Sequence, residues 1–131
     1  MRALVKQNPE PGLWLSDEPI PAIGADDVLV KIRKTGICGT DVHIFNWDEW
    51  AQKTIPTPMT IGHEYAGEII ALGAAVRRLN VGQRVSGEGH VIGMGSRAAR
   101  GGRYHLDPQT RGIGVDIPGA FADAGKAVGI V

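Results

Sequence analysis

Short runs of apolar residues, separated by glycine and proline, make up most of the chain. The clearest run spans 28–34 (VLVKIRK), where Val28, Val30 and Ile32 alternate with a mostly polar set of neighbours. Such alternation predicts a strand with one buried face. Similar short runs predict strands at 1–6, 13–16, 67–72, 81–85 and 125–131. The pattern therefore predicts a mainly β fold.

Two segments depart from this pattern. Residues 41–50 (DVHIFNWDEW) are the best candidate for a short helix, and Pro56 and Pro58 end that region. Residues 87–119 are rich in glycine and show no sustained period, which is typical of loops. We therefore expect one or two short helices beside the strands.

Composition narrows the class of protein. A chain of 131 residues is expected to form one domain, here 1–131. Lys and Arg together number 14, as do Asp and Glu, so the net charge does not favour a nucleic acid or a membrane surface as partner. No apolar run is long enough to cross a bilayer, and the N-terminus lacks the apolar core of a signal peptide. The single cysteine, Cys38, excludes an internal disulfide, and we expect a cytoplasmic protein.

Three residues have side chains suited to zinc: Cys38 and the adjacent pair His63 and Glu64. A thiolate, an imidazole and a carboxylate form a plausible zinc set, and three protein ligands leave a position for water or substrate. Cys38 also lies in a loop (GICGTDVH) that holds a hydroxyl, a carboxylate and a second imidazole. A lone cysteine is also often a small buried hydrophobe, and that alternative stays open.

The sequence resembles a known enzyme family over a long stretch. Residues 62–76 (GHEYAGEIIALGAAV) match, position by position, the zinc signature of the medium-chain, zinc-containing alcohol dehydrogenases. Residues 34–69 look like the zinc-dependent L-threonine 3-dehydrogenases of that family, and the resemblance runs from residue 1 to about 122. It implies a GroES-like, partly open β-barrel that carries zinc. In the family a Rossmann domain that binds NAD follows this barrel.

Six residues match positions that carry chemistry in the family. The resemblance implies a metal site at Cys38, His63 and Glu64, a proton relay at Thr40 and His43, and a substrate-pocket histidine at His90. The parent reaction would be the NAD-dependent oxidation of L-threonine to 2-amino-3-oxobutanoate. Without the resemblance, Thr40 is equally well interpreted as a capping hydroxyl and His43 as a surface imidazole, while a histidine such as His90 is more often structural.

A second zinc site of the family has lost its ligands in this chain. In the family, the loop that corresponds to 92–112 holds a structural zinc through four cysteines. The matching positions here are Gly93, Ser96, Ala99 and Asp107. Since glycine and alanine offer no ligand, the resemblance implies that structural zinc is absent. We expect this remnant loop to be the most mobile part of the domain. We also expect its arginines, at 97, 100, 103 and 111, to be solvated.

No strand followed by G-x-G-x-x-G and a helix occurs in the sequence, which predicts that the Rossmann domain and the NAD site are absent. The tail from 123 resembles the terminal strand of the family, joined directly to the barrel. We therefore expect a truncated, engineered domain that is inactive alone and at most binds zinc. It would be a monomer, or self-associate through the face left by the missing domain. Two alternatives stay open: a subunit whose nucleotide domain is supplied by another chain, and an anion-binding module that uses the arginine-rich loop.

Overall fold

The computed structural model describes residues 1–93 and 95–128. Its strands are β1 (Arg2–Lys6), β2 (Trp14–Asp17), β3 (Asp27–Thr35), β4 (Met59–Thr60), β5 (Tyr65–Leu72), β6 (Arg84–Ser86), β7 (His90–Val91), β8 (Arg111–Gly112) and β9 (Ala124–Val128). The α-helices are α1 (Gly39–Asn46), α2 (Glu49–Thr54) and α3 (Arg97–Arg100), and a 3-10 turn spans Tyr104–Leu106.

The strands form three antiparallel sheets. Their orders are β2-β1-β4, β6-β5-β3-β9 and β7-β8. The strand β3 is central to the largest sheet, where Val30 pairs with Ile69 of β5 on one side and with Gly125 of β9 on the other. Within the described residues the sheets do not close into a barrel. The prediction of a mainly β, partly open fold with short helices is confirmed.

The alternation in β3 explains why one hydrophobic cluster lies against this sheet. Val28 and Val30 are almost fully buried and pack with Tyr65 and Ala120, while Lys31 on the opposite face is exposed. A second cluster lies beneath the helices. It contains Ile44, Ala51, Ile55, Met59 and Ile61. This second cluster supports α1 and the segment after β4, which carry the candidate site.

The helical region differs from its prediction in one respect. The single helix predicted over 41–50 is two helices, because Trp47 adopts a left-handed conformation (φ 54°) that ends α1. Asp48 then begins α2, since its carboxylate accepts the N–H of Ala51 at 3.0 Å as an N-cap. The strand predicted over 81–85 begins later, at Arg84. In the predicted strand over 125–131, residues 129–131 lie outside the described residues.

Candidate metal centre

Cys38 is placed at the N-terminus of α1 by a capping box. Its Sγ accepts the backbone N–H of Thr40 at 3.2 Å, and the carboxylate of Asp41 accepts the backbone N–H of Cys38 at 2.9 Å. This reciprocal arrangement satisfies free N–H groups of the first turn. The thiol therefore stands at the positive end of the helix dipole, where negative charge is favoured.

His63 reaches the same place from the segment after β4. Gly62, immediately before it, has φ +91°, and a Cβ on Gly62 would lie 2.1 Å from Cδ1 of Phe121. Only glycine fits this backbone conformation and this close approach. The turn brings Nε2 of His63 to 3.0 Å from Sγ of Cys38, across 25 residues of sequence.

Asp41 completes the cluster, and sequence reasoning did not single it out. Its Oδ1 lies 3.8 Å from Nδ1 of His63, and neither buried atom has a hydrogen-bond partner. Cys38, Asp41 and His63 each offer one potential ligand atom, and these three atoms lie within 4.8 Å of one another. Buried polar atoms without partners beside a thiol and an imidazole fit a site that a further group completes. The S, N and O donor set fits zinc rather than magnesium or calcium.

Glu64 does not join this cluster. Its side chain is exposed and packs over Gly36, where an added Cβ would lie 2.3 Å from Oε2 of Glu64. The structure therefore brings Cys38 and His63 together, adds Asp41 and leaves Glu64 outside the group. The signal that could have found Asp41 is its position three residues after Cys38, which is the spacing of a capping box.

Thr40 and His43 lie on α1, on the route from the centre to the surface. Thr40 is half-buried beside the thiol, and His43 is exposed one turn further along the helix. The Nδ1 of His43 contacts a carboxylate oxygen of Asp48, and its ring packs edge-on against Trp50 with centroids 6.1 Å apart. The backbone N–H of Ala51, and then His43, hold the pKa of Asp48 below its ordinary value.

His90 borders the centre without entering it. It is exposed on β7, and its Nδ1 lies 2.9 Å from Oε1 of Glu88. The hydrogen bond to His90 outweighs burial and holds the pKa of Glu88 below its ordinary value. Between them, Gly89 packs against His63: a Cβ there would lie 3.7 Å from the Cβ of His63. The Glu88–His90 segment therefore forms one edge of the centre.

The loop 92–112 forms a hydrogen-bonded unit of its own. Asp107 is buried and accepts the N–H of Gly93 at 2.6 Å, while Ser96 caps α3 by accepting the N–H of Ala99 at 3.0 Å. Burial alone would raise the pKa of Asp107, but hydrogen bonds from Ser96, Gln109 and Gly93 lower it below its ordinary value. Among the residues the structure describes, the group at Cys38 is the only cluster of metal-ligand type.

Comparison with known proteins gives a consistent result. A family profile described as the alcohol dehydrogenase GroES-like domain matches residues 24–127. The chain is 65% identical over 122 residues to an L-threonine 3-dehydrogenase of Ruegeria pomeroyi, covering 93% of this chain and 36% of that protein. It is 58% identical over 123 residues to the L-threonine 3-dehydrogenase of Proteus mirabilis, covering 94% of this chain and 36% of that protein.

A structural comparison agrees with these matches. The crystal structure of galactitol-1-phosphate dehydrogenase from Escherichia coli superposes with a TM-score of 0.88 at 26% identity, over 98% of this chain and 36% of that one. This chain therefore spans about a third of the length of these relatives. No helix in the described part of the chain has the length and apolar character needed to cross a membrane.

Proposed function

Because this chain belongs to the alcohol dehydrogenase GroES-like domain family, we propose that it is the zinc-binding lobe of an enzyme that oxidises L-threonine. The observation that carries the proposal is the grouping of Cys38, Asp41 and His63 within 4.8 Å. The choice of L-threonine is supported by the names of its relatives, which are L-threonine 3-dehydrogenases.

Each residue of the cluster has a separate part in this proposal. Cys38 and His63 would hold the ion through Sγ and Nε2, which face each other at 3.0 Å. Asp41 lies 3.8 Å from the other ring nitrogen of His63, and with the ion bound its carboxylate would accept the N–H of that nitrogen and so keep Nε2 as the ligand atom, as carboxylates commonly do for metal-bound histidines. Zinc at this site would supply Lewis acidity to a substrate hydroxyl.

The proton released by the substrate would leave along α1. The backbone N–H of Thr40 contacts the thiol, which places this residue at the centre, and His43, one turn on, is exposed and contacts the carboxylate of Asp48. A hydroxyl followed by an imidazole at the surface can pass a proton outward to solvent. His90, held by Glu88 at the edge of the centre, is placed to contact the substrate rather than the metal.

Oxidation also requires a hydride acceptor. The parent reaction uses NAD, and this sequence contains no strand followed by G-x-G-x-x-G and a helix. We therefore propose that these 131 residues bind zinc but do not oxidise threonine by themselves. A nucleotide-binding domain from elsewhere would have to supply the hydride acceptor.

Cobalt(II) titration of the reduced chain tests the metal site. We expect a near-ultraviolet thiolate-to-cobalt band that reaches its maximum at one equivalent and disappears on addition of zinc. The band should be absent in Cys38→Ser and strongly weakened in His63→Ala. The matched control is His105→Ala, since His105 is exposed in the 3-10 turn, away from the cluster. A missing band in the unmodified chain, or one that survives in Cys38→Ser, contradicts the proposal.

A further inference from the structure

Lys6, in β1, is fully buried, which is rare for a lysine. Its ammonium donates hydrogen bonds to the carbonyl oxygens of Glu10 and Gly12, the latter at 2.9 Å. The same nitrogen lies 4.7 Å from the ring centroid of Trp47 and 5.7 Å from that of Trp14. Two carbonyls and two indole faces compensate a buried cation that would otherwise be costly. Burial lowers the pKa of Lys6, against the opposing effect of the Glu10 charge.

This ammonium is linked to the last turn of α1 in two ways. Trp47, which ends α1, has φ 54° and ψ 46°, a conformation that a bulky residue adopts only when its surroundings hold it there. Its indole lies over the Lys6 ammonium. Gly12, whose carbonyl accepts from Lys6, donates its own N–H to the carbonyl of Phe45 in α1 at 2.8 Å.

Apart from Ile44, which packs in the second hydrophobic cluster, α1 has few buried contacts of its own. It has eight residues, of which only Asp41 and Ile44 are buried. A helix of this length is not stable by itself and takes its position from tertiary contacts. The capping box of Cys38 and Asp41 closes its N-terminal end, and the contacts to Lys6 hold its C-terminal end.

Lys6 is also connected to the segment that carries the other ligand. In the sheet, Lys6 of β1 pairs directly with Met59 of β4. The chain leaves β4 at Thr60 and reaches His63 three residues later. One residue therefore contacts both the helix that carries Cys38 and the strand that leads to His63.

From these contacts we propose that Lys6 is a positioning residue for the metal centre. Its ammonium holds the C-terminal end of α1 against β1, and the backbone of β1 pairs in turn with β4, so that Sγ of Cys38 and Nε2 of His63 keep their relative position. This inference rests on the zinc site proposed above. It adds a requirement that lies on β1, outside the ligands and their immediate contacts.

Cobalt(II) affinity of Lys6→Met tests this role, since methionine fills similar space without charge or N–H donors. We expect binding roughly threefold to tenfold weaker than in the unmodified chain, at or below the low end of the roughly 10–100-fold loss typical of removing a direct contact of a metal ligand, together with altered visible bands of the bound cobalt. Lys6→Arg, which keeps the cation over the indoles, should recover most of the affinity. The matched control is Lys31→Met on β3, where the lysine is exposed, and it should bind as the unmodified chain does.

The results distinguish failure of the positioning role from failure of the zinc site. A folded Lys6→Met that binds cobalt with unchanged affinity and spectrum overturns the positioning role and leaves the zinc proposal intact. An unmodified chain that gives no cobalt band overturns both proposals. If Lys6→Met does not fold by circular dichroism, Trp47→Leu replaces it, because the hydrogen bonds of Lys6 to Glu10 and Gly12 then remain. Unchanged cobalt binding in Trp47→Leu overturns the positioning role in the same way.

Discussion

The buried carboxylate of Asp107 accepts the backbone N–H of Gly93 at 2.6 Å and so joins two residues that lie 14 positions apart in the sequence. The other oxygen of Asp107 accepts the N–H of Gln109 at 3.2 Å. The start of the loop 92–112 is therefore tied to a side chain near its end. In the resemblance described above, Gly93 and Asp107 match two of the positions that hold a structural zinc in the family. Here one hydrogen bond joins these two positions directly.

Replacement of Asp107 by alanine should loosen this loop selectively. The N–H groups of Gly93 and Gln109 lose their acceptor, and we expect their hydrogen exchange to accelerate by roughly tenfold or more. Exchange in the sheet around β3 should be unchanged. Hydrogen exchange followed by NMR measures both regions in one experiment. Asp26→Ala, at an exposed position before β3, is the matched control, and equal acceleration in both variants would show that Asp107 does not organise the loop.

The same carboxylate predicts how the loop responds to acid. The pKa of Asp107 is lowered below its ordinary value of 3.8, so the ionised form is favoured by the folded loop. Its contribution to stability is complete above that value and is lost as the pH falls through the lower, folded pKa. The amide proton shift of Gly93 should therefore titrate with a midpoint below 3.8. A midpoint above 3.8, or an identical titration in Asp107→Asn, would contradict this assignment.

The sheet could be predicted from the sequence because its signal is local. Val28, Val30 and Ile32 alternate within one strand, and burial of that face follows directly from the period of two residues. The break between α1 and α2 could not be predicted in this way. Trp47, in its left-handed conformation, contacts the ammonium of Lys6, which lies 41 positions earlier, and no local pattern reports such a contact.

The same distinction between local and long-range features applies to the candidate site. Cys38 and His63 were identified by residue type and by resemblance, but their 3.0 Å contact depends on the fold. The chemistry of Glu64 suits a ligand, yet its side chain lies against Gly36 and not in the cluster of Cys38 and His63. In the sequence, Asp41 is one of several polar residues in a loop. In the structure, the capping box places its carboxylate 3.8 Å from Nδ1 of His63.

Ile44 should be the main source of stability for α1. It is the buried apolar residue of that helix, and it is fully enclosed by the second hydrophobic cluster. Ile44→Ala removes buried methyl groups and leaves a cavity, which typically costs about 2–5 kcal/mol. Val42→Ala on the exposed face of the same helix should change the free energy of unfolding by no more than about 0.5 kcal/mol. Urea unfolding of the two variants measures the difference, and equal losses would show that α1 is not packed through Ile44.

Asp41, rather than Glu64, should control the affinity of the metal centre. Asp41→Asn keeps an oxygen for the N–H of Cys38 but removes the charge beside Nδ1 of His63, so cobalt affinity should fall by about tenfold. Glu64→Gln is the matched control: it makes the same carboxylate-to-amide change on an exposed side chain and should alter affinity by less than about twofold. Competition with a zinc chelator measures both constants, and circular dichroism verifies that each variant is folded. In the opposite result, Glu64→Gln would bind cobalt weakly and Asp41→Asn would bind it with unchanged affinity. That result would restore Glu64 as the third ligand implied by the family resemblance. It would also mean that Glu64 leaves Gly36 and turns towards His63 when metal binds.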